Sequence, residues 1–389
     1  MPCQQISLPL QADFTSIQMR ILQLGKFYPV RGGVEKVMYD LLTGLAVRGI
    51  QCDMLCAYGE KGTAQIAVAP DCKIFCTKTL AKKYATMISP QMVSTLRRIA
   101  SNYDIIHVHH PDPMAAIALR LSGYKGKVVL HWHSDIVKQK KLLSFYQPLQ
   151  QWLIHRADLI VGTTPVYIAA SSYLKDVQHK CTYLPIGINA VKPDESQVAA
   201  IRFRYPGRKI VFSLGRLVHY KGYKYLVEAA KYLDDSFMVL IGGTGVLRDE
   251  LQQQIEREGV ADRVRLLGYV ADSELPAYYG ACDIYCLSSF MKTEAFAIVQ
   301  IEAMSCGKPV VCCNIEGSGV PWVNAHGVSG LVVEPENSRA LADAIRSITS
   351  DESLYRQLSA GARQRFEQLF RKELAVNRCL ELYRQVSGA

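Results

Sequence analysis

Residues 282–313, CDIYCLSSFMKTEAFAIVQIEAMSCGKPVVCC, contain a strand–helix–strand unit, and this unit decides the fold. The apolar runs DIYCLSS and PVVCC flank a segment with a helical pattern at 296–305. Short apolar runs bounded by turn residues are typical of strands that are buried on both faces. A helix between two such strands indicates a parallel sheet that is covered by helices.

The same alternation runs through the rest of the chain and restarts once. In the first half, the apolar runs RILQLG, CDMLCAY, DIIHVHH, KVVLHWH and ADLIVGT alternate with amphipathic segments. A second series begins at Lys209 with IVFSLGR, FMVLIGG and VRLLGYV. Because 389 residues are too many for one hydrophobic core, we predict an α/β fold of two facing, doubly wound, Rossmann-like domains with a cleft between them.

The domain boundaries follow from composition. Residues 1–18 lack a basic segment followed by an apolar one, so we expect a disordered N-terminal extension rather than a secretory signal, with translation starting at Met1 or Met19. A polar, proline-containing segment near 189–206 divides a first domain at 19–195 from a second domain at 196–371. A C-terminal helix at about 372–389 could pack back on the first domain.

Composition excludes several classes of protein. No run of 18 apolar residues occurs, so no transmembrane helix is expected. The 12 cysteines form no C-x2-C or Cys/His zinc pattern, and several lie in apolar runs. We therefore expect free, buried thiols in a reducing cytosol rather than disulfides or a metal site.

Basic residues are concentrated in the first half of the chain. Residues 1–195 carry 22 Lys and Arg against 13 Asp and Glu, a net charge of +9, whereas residues 196–389 carry 23 against 22, a net charge of +1. This asymmetry indicates an anionic partner, which is a membrane surface, a lipid diphosphate or nucleic acid. Basic residues interleaved with apolar ones favour a membrane interface, with a solvated charged face as the alternative: Lys78, Lys82, Lys83, Arg97, Arg98, Lys138, Lys140 and Lys141.

Two glutamates mark the unit at 282–313. Glu294 falls in the loop before the helix, and the small or apolar residues after it leave backbone N–H groups accessible to a ligand. Glu302 lies in the helix, about two turns further on. A carboxylate in an apolar helix is costly without a partner. A ribose diol is a suitable partner because a carboxylate accepts both hydroxyl protons, and a salt bridge to Lys or Arg is the alternative.

Two cations follow a predicted strand in the second half. Arg216 comes directly after SLG, and Lys221 precedes a predicted helix. Arg offers a planar fork of donors and Lys a point charge, so the pair suits a diphosphate, with a solvated basic loop as the alternative. Gly243, in the GGTG turn after the next predicted strand, is a weaker phosphate-type signal.

The first half contributes a glycine turn and a group of histidines. Gly32 and Gly33 precede a predicted helix, which favours phosphate at its N-terminus or is a plain turn. His131 and His133 alternate out of a strand end, and the run HVHH precedes them. A histidine after a strand could contact a sugar hydroxyl or an acceptor, or it could be a satisfied histidine on a strand face. Zinc is an alternative for such a histidine-rich half, but no carboxylate or thiolate spacing supports it.

Five segments together resemble the motifs of glycosyltransferase family 4. They are GKFYPVRGGVEK, HWHSD, GRLVHYKG, GGTG, and Glu-x7-Glu with CGKPVV, in the family's order from Met19 to about Tyr383. Each motif is weak alone, whereas five in order are specific. The resemblance implies a GT-B fold and a retaining hexosyltransferase that uses a nucleotide-sugar donor and needs no metal or other cofactor.

The resemblance also implies roles for the first domain and for the leaving group. Gly32 and Gly33 would back the donor diphosphate. His133 would contact the donor sugar and assist at the reaction centre. Arg216 and Lys221 would bind the diphosphate and stabilise its departing charge.

The remaining implied roles belong to the second domain. Glu294 would contact sugar hydroxyls, and Glu302 would hold the ribose. Backbone groups would line the phosphate and sugar at four positions: Gly243, Phe296, Ala297 and Ile298.

This sequence departs from the family pattern at two positions. The family has glycine after the first glutamate and again after the phenylalanine, where this chain has Ala295 and Ala297. Alanine keeps the backbone accessible, so the departure bears on sugar preference rather than on activity.

The resembling branch builds bacterial O-antigen and capsule, which implies a mannose donor, GDP-mannose, and a polyprenyl-diphosphate-linked glycan acceptor. We expect a cytoplasmic protein, peripherally bound to the inner face of the cytoplasmic membrane, with no nucleic-acid partner. The alternatives are a UDP-sugar-dependent transferase of the same pathway type and a non-catalytic sugar-nucleotide-binding protein. An epimerase of the same fold would need acid–base carboxylates in the first domain, where Asp112 and Asp135 are the candidates.

Overall fold

The computed structural model describes residues 19–83, 86–136 and 140–388. The predicted extension at 1–18 and Lys138 lie outside the described residues, as do the side chains of Lys83, Lys140 and Lys141. The predicted α/β architecture of two Rossmann-like domains is confirmed, since the chain forms two separate, mainly parallel sheets with helices packed against them. The described cysteines are free thiols and most are buried, as predicted.

The first sheet has eight strands in the order β10-β9-β8-β7-β1-β2-β4-β3, and β5 and β6 form a separate small hairpin. The first ten strands are β1 Arg20–Tyr28, β2 Gln51–Tyr58, β3 Ala64–Ala69, β4 Cys72–Thr77, β5 Ala81–Lys83, β6 Thr86–Ile88, β7 Ile105–His110, β8 Lys127–Trp132, β9 Leu159–Gly162 and β10 Cys181–Tyr183. Adjacent β1 residues pack on opposite faces: Ile21 joins one core cluster and Leu22 the other.

The edge of this sheet differs from the all-parallel prediction. Strand β3 pairs antiparallel with β4, whereas the other pairs in the sheet are parallel. Only Pro70 and Asp71 separate the two strands, and a connection this short can form a hairpin but cannot cross over to a parallel neighbour.

Five helices cover the first sheet: α1 Gly33–Ala46, α2 Gln91–Ile99, α3 Pro113–Ser122, α4 Lys140–Arg156 and α5 Pro165–Ala169. Helix α3 begins where Asp112 caps it, because the Asp112 carboxylate accepts the backbone N–H groups of Met114 and Ala115 at 3.0 and 3.2 Å.

The second sheet has six strands, all parallel, in the order β13-β12-β11-β14-β15-β16. The strands are β11 Lys209–Leu214, β12 Phe237–Gly242, β13 Val264–Gly268, β14 Ile284–Leu287, β15 Val310–Cys313 and β16 Gly330–Val333. Its helices are α6 Glu195–Arg204, α7 Tyr223–Ala229, α8 Arg248–Arg257, α9 Leu275–Ala281, α10 Ile298–Ser305, α11 Val320–Val323, α12 Ser338–Ser350 and α13 Glu352–Arg365. Asn337 caps α12 by accepting the Ala340 N–H at 2.9 Å.

The last helix, α14 Lys372–Ser387, lies against α1 of the first domain. Lys372 Nζ lies 3.1 Å from Asp40 Oδ1, and Arg48 Nε donates to Asn377 Oδ1 at 2.8 Å. Gly44 permits this packing, because a Cβ there would lie 2.4 Å from Val376 Cγ2. Among the described residues, no helix has both the length and the apolar character needed to cross a membrane.

Candidate active site

The predicted phosphate and sugar residues of the second domain lie at the carboxyl ends of two neighbouring strands. Lys221 lies between β11 and α7, and Glu294 lies between β14 and α10. Strands β11 and β14 pair directly, and the strand order reverses between them. In doubly wound sheets, ligands bind in the crevice at this switch point.

Lys221 and Glu294 form an ion pair there. The Lys221 Nζ lies 2.5 Å from Glu294 Oε2, and the two side chains are only 10% and 11% exposed. Ser289 Oγ donates a second hydrogen bond to the same oxygen at 2.9 Å. Two charges withdrawn from water need such partners, so the loop after β14 is fixed against the loop after β11.

Glycines allow these loops to approach each other closely. A Cβ on Gly222, whose φ is +66°, would lie 2.2 Å from the carbonyl oxygen of Ser288. A Cβ on Gly243, whose φ is +132°, would lie 1.9 Å from the carbonyl oxygen of Gly215. Gly243 therefore packs the turn after β12 onto the loop that leads to Lys221.

Arg216 lies in the same loop but is exposed. Its Nη2 donates to the hydroxyl of Tyr220 at 3.2 Å. The Lys221 ammonium lies 5.6 Å from the centroid of the same tyrosine ring. Tyr220 therefore lies beside both predicted phosphate-binding cations.

Glu302 lies in α10, the helix that follows the Glu294 loop, and is partly buried. The partner of its carboxylate is a phenol rather than a cation. Tyr279 donates its hydroxyl proton to Glu302 Oε2 at 2.5 Å. Burial raises the pKa of Glu302, and the hydrogen bond from Tyr279 and the charge of Lys36 oppose that rise. Within the described part of the chain, no Lys or Arg nitrogen lies within 4.0 Å of this carboxylate, so the alternative of a salt bridge does not describe it.

The N-terminus of α10 faces the first domain. The helix begins at Ile298 rather than at the predicted Phe296, because Ala297 has left-handed backbone angles of φ 62° and ψ 82°. Phe296 is buried, and no described side chain caps the helix. A Cβ on Gly33 would lie 3.3 Å from Ile298 Cδ1, so the glycine turn of the first domain meets α10 across the cleft.

The glycine turn also brings a buried carboxylate close to the backbone. A Cβ on Gly32 would lie 2.5 Å from Glu35 Oε2. Glu35 is only 7% exposed, and burial raises its pKa while the charge of Lys26 lowers it. Sequence reasoning did not single out Glu35, although it lies in the quoted GGVEK motif.

His133 follows β8 and belongs to a buried group of histidines. Its Nε2 lies 2.8 Å from His109 Nδ1, and its ring stacks on His131 with centroids 3.9 Å apart. Burial lowers the pKa of His133 well below its usual range, and the neighbouring imidazoles, His131 first, and the charge of Lys26 lower it further. The ring is therefore neutral at physiological pH.

Three of these histidines offer nitrogen atoms within 4.8 Å of one another: His107, His109 and His131. His109 already uses both ring nitrogens, one toward His133 and one toward Gln23 Oε1 at 2.6 Å. A metal ion held by all three would have to replace one of these hydrogen bonds, whereas His107 Nε2 and both ring nitrogens of His131 have no hydrogen-bond partner among the described residues.

The carboxylates considered for an epimerase have other partners. Asp112 caps α3 and accepts the backbone N–H of Lys26. Asp135 Oδ2 lies 3.0 Å from Lys292 Nζ, and its Oδ1 accepts from Trp132 Nε1 at 2.8 Å and from Ser171 Oγ at 2.7 Å. Both carboxylates are therefore already engaged.

Sequence reasoning missed the Asp135–Lys292 pair, which joins the loop after β8 to the loop after β14. A lysine two residues before the predicted sugar-binding Glu294 was the available signal. It also missed Tyr279, Gln23 and Tyr383. Gln23, a polar residue in the apolar run of β1, was a signal that could have been noticed.

Comparison with known proteins identifies the family of the chain. A family model described as Glycosyltransferase Family 4 matches residues 31–190, and one described as Glycosyl transferases group 1 matches residues 196–365. The O-antigen chain mannosyltransferase C of Escherichia coli is 31% identical over 94% of this chain and 98% of its own length. The chain belongs to glycosyltransferase family 4.

One further sequence relative and one solved structure are also similar to this chain. The D-rhamnosyltransferase WbpZ of Pseudomonas aeruginosa is 28% identical over 90% of this chain and 92% of its own length. The crystal structure of Anabaena HepE in complex with UDP superposes with a TM-score of 0.76 at 20% identity, covering 94% of this chain and 100% of that one. At this identity the structural likeness shows the fold alone, which is GT-B.

Proposed function

We propose that this glycosyltransferase is a retaining, metal-independent hexosyltransferase that moves mannose from GDP-mannose to a polyprenyl-diphosphate-linked glycan. The buried Lys221–Glu294 pair at the switch point of the second sheet is the observation that carries the proposal, because it combines a cation for a diphosphate with a carboxylate for a sugar. The choice of mannose is supported by the similarity to the O-antigen mannosyltransferase.

In the proposed site, the diphosphate of the donor lies against Lys221, Arg216 and the uncapped N-terminus of α10. Both contacts of Glu294 use Oε2, and Oε1 would accept sugar hydroxyl groups. Glu302, held by Tyr279, would accept the two ribose hydroxyls.

The proposed transfer takes place on the face from which the nucleotide departs. The bond between the anomeric carbon and the phosphate oxygen breaks, and a bond from that carbon to the acceptor oxygen forms. The acceptor proton moves to the departing phosphate. In this proposal Lys221 and Arg216 would lie where negative charge develops, and such interactions lower the barrier because they strengthen in the transition state.

The first domain would meet the acceptor at the inner face of the cytoplasmic membrane. Lys78 and Lys82 are exposed beside Leu80, which is 64% exposed. Arg97 and Arg98 are exposed on α2. An exposed leucine between two exposed lysines fits a membrane surface that carries anionic lipid, and Arg97 and Arg98 add exposed positive charge to the same domain.

The substitution Lys221→Ala tests the proposal. We expect its turnover number with GDP-mannose to fall by about 10²-fold or more, because an electrostatic contact to the leaving group is lost. Lys224→Ala removes an exposed lysine in the next helix, and we expect it to leave turnover unchanged. Full activity of Lys221→Ala would overturn the assignment.

A panel of GDP-, UDP- and ADP-sugars with a lipid-linked acceptor identifies the donor. We expect turnover with GDP-mannose, an α-linked product by NMR, and no loss of activity in EDTA. A product of inverted configuration or loss of activity in EDTA would contradict the mechanism. Turnover with UDP-sugars alone would support the UDP alternative, and nucleotide-sugar binding without turnover would support a non-catalytic protein.

A further inference from the structure

A chain of buried hydrogen bonds leads from His133 to the C-terminal helix. His133 Nε2 lies 2.8 Å from His109 Nδ1, and His109 Nε2 lies 2.6 Å from Gln23 Oε1. Gln23 Nε2 donates to the Tyr383 hydroxyl at 3.0 Å, and that hydroxyl lies 2.6 Å from His107 Nδ1. The five side chains are each 5% exposed or less.

In this series of hydrogen bonds each donor points from His133 towards His107, and the amide of Gln23 fixes that order. Its Oε1 can only accept, so His109 must carry its proton on Nε2. A neutral His109 then has an unprotonated Nδ1, which accepts the proton on Nε2 of His133. At the other end the Gln23 amide donates to Tyr383, whose own proton goes to His107.

We propose that Gln23 and Tyr383 are positioning residues that fix the tautomer and the ring orientation of His133. In this tautomer the proton of His133 lies on Nε2 and points into the domain, and Nδ1 is the nitrogen with a free electron pair. His133 is therefore a hydrogen-bond acceptor at Nδ1, suited to a hydroxyl group of a sugar.

Burial supports the proposal, because it keeps the pKa values of His133 and His109 well below the usual range, and only neutral rings have tautomers. Buried polar chains of this kind are most stable when each donor has an acceptor, so breaking one member affects the others.

The C-terminal helix supplies one of the two positioning residues. Tyr383 lies on α14, and Gln23 lies on β1, 360 residues earlier. Tyr383 has no exposed surface, and its ring meets His107 edge to face with centroids 5.6 Å apart. Packing of α14 on the first domain thus completes the support of a histidine at the cleft.

The test uses the full-length protein with nitrogen-15-labelled histidine. We expect the His133 signal, assigned by its loss in His133→Gln, to show a protonated Nε2 and an unprotonated Nδ1. In Gln23→Leu, which removes the acceptor of His109, we expect a mixture of tautomers. Since this NMR readout does not depend on turnover, its failure can be told apart from failure of the proposed function.

The effect on turnover rests on the proposed function. In Gln23→Leu we expect the turnover number to fall at least about tenfold with little change in donor KM, since a hydrogen bond from the donor sugar to His133 Nδ1 that strengthens in the transition state affects turnover more than ground-state binding. Tyr383→Phe keeps the ring but removes the partner of both the Gln23 amide and His107 Nδ1. His109 keeps its acceptor in this variant, so a smaller shift in the same direction is expected, and the variant serves as the test should Gln23→Leu not fold.

His110→Phe is the matched control. His110 is also buried and stacks on Trp132 with centroids 3.8 Å apart, and it takes no part in the hydrogen bonds that join His133, His109, Gln23, Tyr383 and His107. We expect the tautomer of His133 and the turnover number to be unchanged in this variant. A His133 protonated on Nδ1 in the natural protein, or a single unchanged tautomer in both Gln23→Leu and Tyr383→Phe, would overturn the proposal.

Discussion

Glu302 shows how one phenol can adjust a binding carboxylate. Burial raises the pKa of Glu302, and the Tyr279 hydroxyl at 2.5 Å lowers it by stabilising the charged form. Under the proposed function the ionised carboxylate accepts both ribose hydroxyls, so donor affinity should be present above this pKa and lost as the pH falls through it.

Replacing Tyr279 should move this pH dependence in a defined direction. In Tyr279→Phe the stabilising hydrogen bond is gone, so the pKa of Glu302 rises further and the increase in donor KM begins at a higher pH. The measurement is donor KM from pH 5 to 8. Tyr278→Phe removes the hydroxyl of the neighbouring tyrosine, which stacks on Phe212, and should leave the profile unchanged. Superimposable profiles for all three proteins would contradict the role of Tyr279.

Ala297 occupies a backbone conformation that suits glycine. Its φ of 62° is in the left-handed region, where an L-residue with a Cβ loses roughly 1–2 kcal/mol. We expect Ala297→Gly to raise the free energy of unfolding by up to about 1 kcal/mol, because the strain relieved exceeds the added entropy of the unfolded chain. Ala295→Gly, at a residue without positive φ, should lower it by about 0.5 kcal/mol. Denaturant unfolding distinguishes the two, and equal effects would refute the argument.

For single residues, the sequence pattern predicts the site residues that directly follow strands. It does not predict residues that position another site residue. Lys221 and Glu294 could be predicted because each follows an apolar strand of the second domain, and adjacent strand ends meet at one edge. Their roles in catalysis stay predictions. The pairing of Gln23 with Tyr383 could not be predicted, because only the packing of α14 on the first domain brings these distant residues together.

One ion pair joins two of the loops that contribute to the candidate site. Lys292, in the loop after β14, lies 3.0 Å from Asp135, in the loop after β8. Lys292 also donates to the carbonyl oxygen of Ala170 at 2.8 Å and lies 5.1 Å from the ring centroid of Tyr167. The loop of Glu294 is thereby held against the loop of His133.

Loss of this pair should loosen the cleft. In Lys292→Met the apolar stem can still pack on Tyr167, whereas the charge is lost. We expect a several-fold increase in donor KM and a loss of about 1 kcal/mol in unfolding free energy, the size usual for a partly exposed pair. Lys292→Arg keeps the charge and should lie close to the natural protein. A double-mutant cycle with Asp135→Asn measures the coupling, and additive effects would show that the pair does not hold the loops.

The sequence pattern predicts which helices and strands form better than it predicts where they begin and end. The helical pattern around Glu302 predicts a start at Phe296, but apolar periodicity does not register the left-handed Ala297, so the helix starts at Ile298. The antiparallel β3 was missed because its run AQIAVA is short and rich in alanine, which is depleted in strands, and none of its residues is fully buried.

At the scale of the whole molecule, the C-terminal segment connects the second domain back to the first domain. After α13 the backbone returns to the first domain, where the Ile188 N–H donates to the carbonyl oxygen of Phe370 at 2.9 Å and the Lys372 N–H to that of Ile188 at 2.9 Å. Gly187 lies at this crossing, since a Cβ on it would be 2.5 Å from the carbonyl oxygen of Arg371. The segments at 187–188 and 370–372, where the chain passes between the two domains, therefore pack against each other.

The uneven charge of the molecule leads to a prediction about membranes. The first half carries the excess of +9, and Lys78 and Lys82 are exposed beside Leu80. Because each basic residue near an anionic surface contributes about 1 kcal/mol, Lys78→Glu with Lys82→Glu should weaken binding to vesicles containing phosphatidylglycerol at least about tenfold. Vesicle sedimentation measures this, and the binding that remains should fall as salt rises.

A charge-matched control separates a docking surface from net charge. Lys231 and Arg257 are exposed in the second domain, and reversing both to Glu changes the net charge by the same amount. If membrane attraction depends on a local surface, this control should bind vesicles nearly as well as the natural protein. Leu80→Ser, which keeps all charges, should weaken binding in a way that salt does not alter, because it removes the inserted apolar side chain. Equal losses in the two charge-reversed proteins would mean that overall charge, rather than this surface, draws the protein to the lipid.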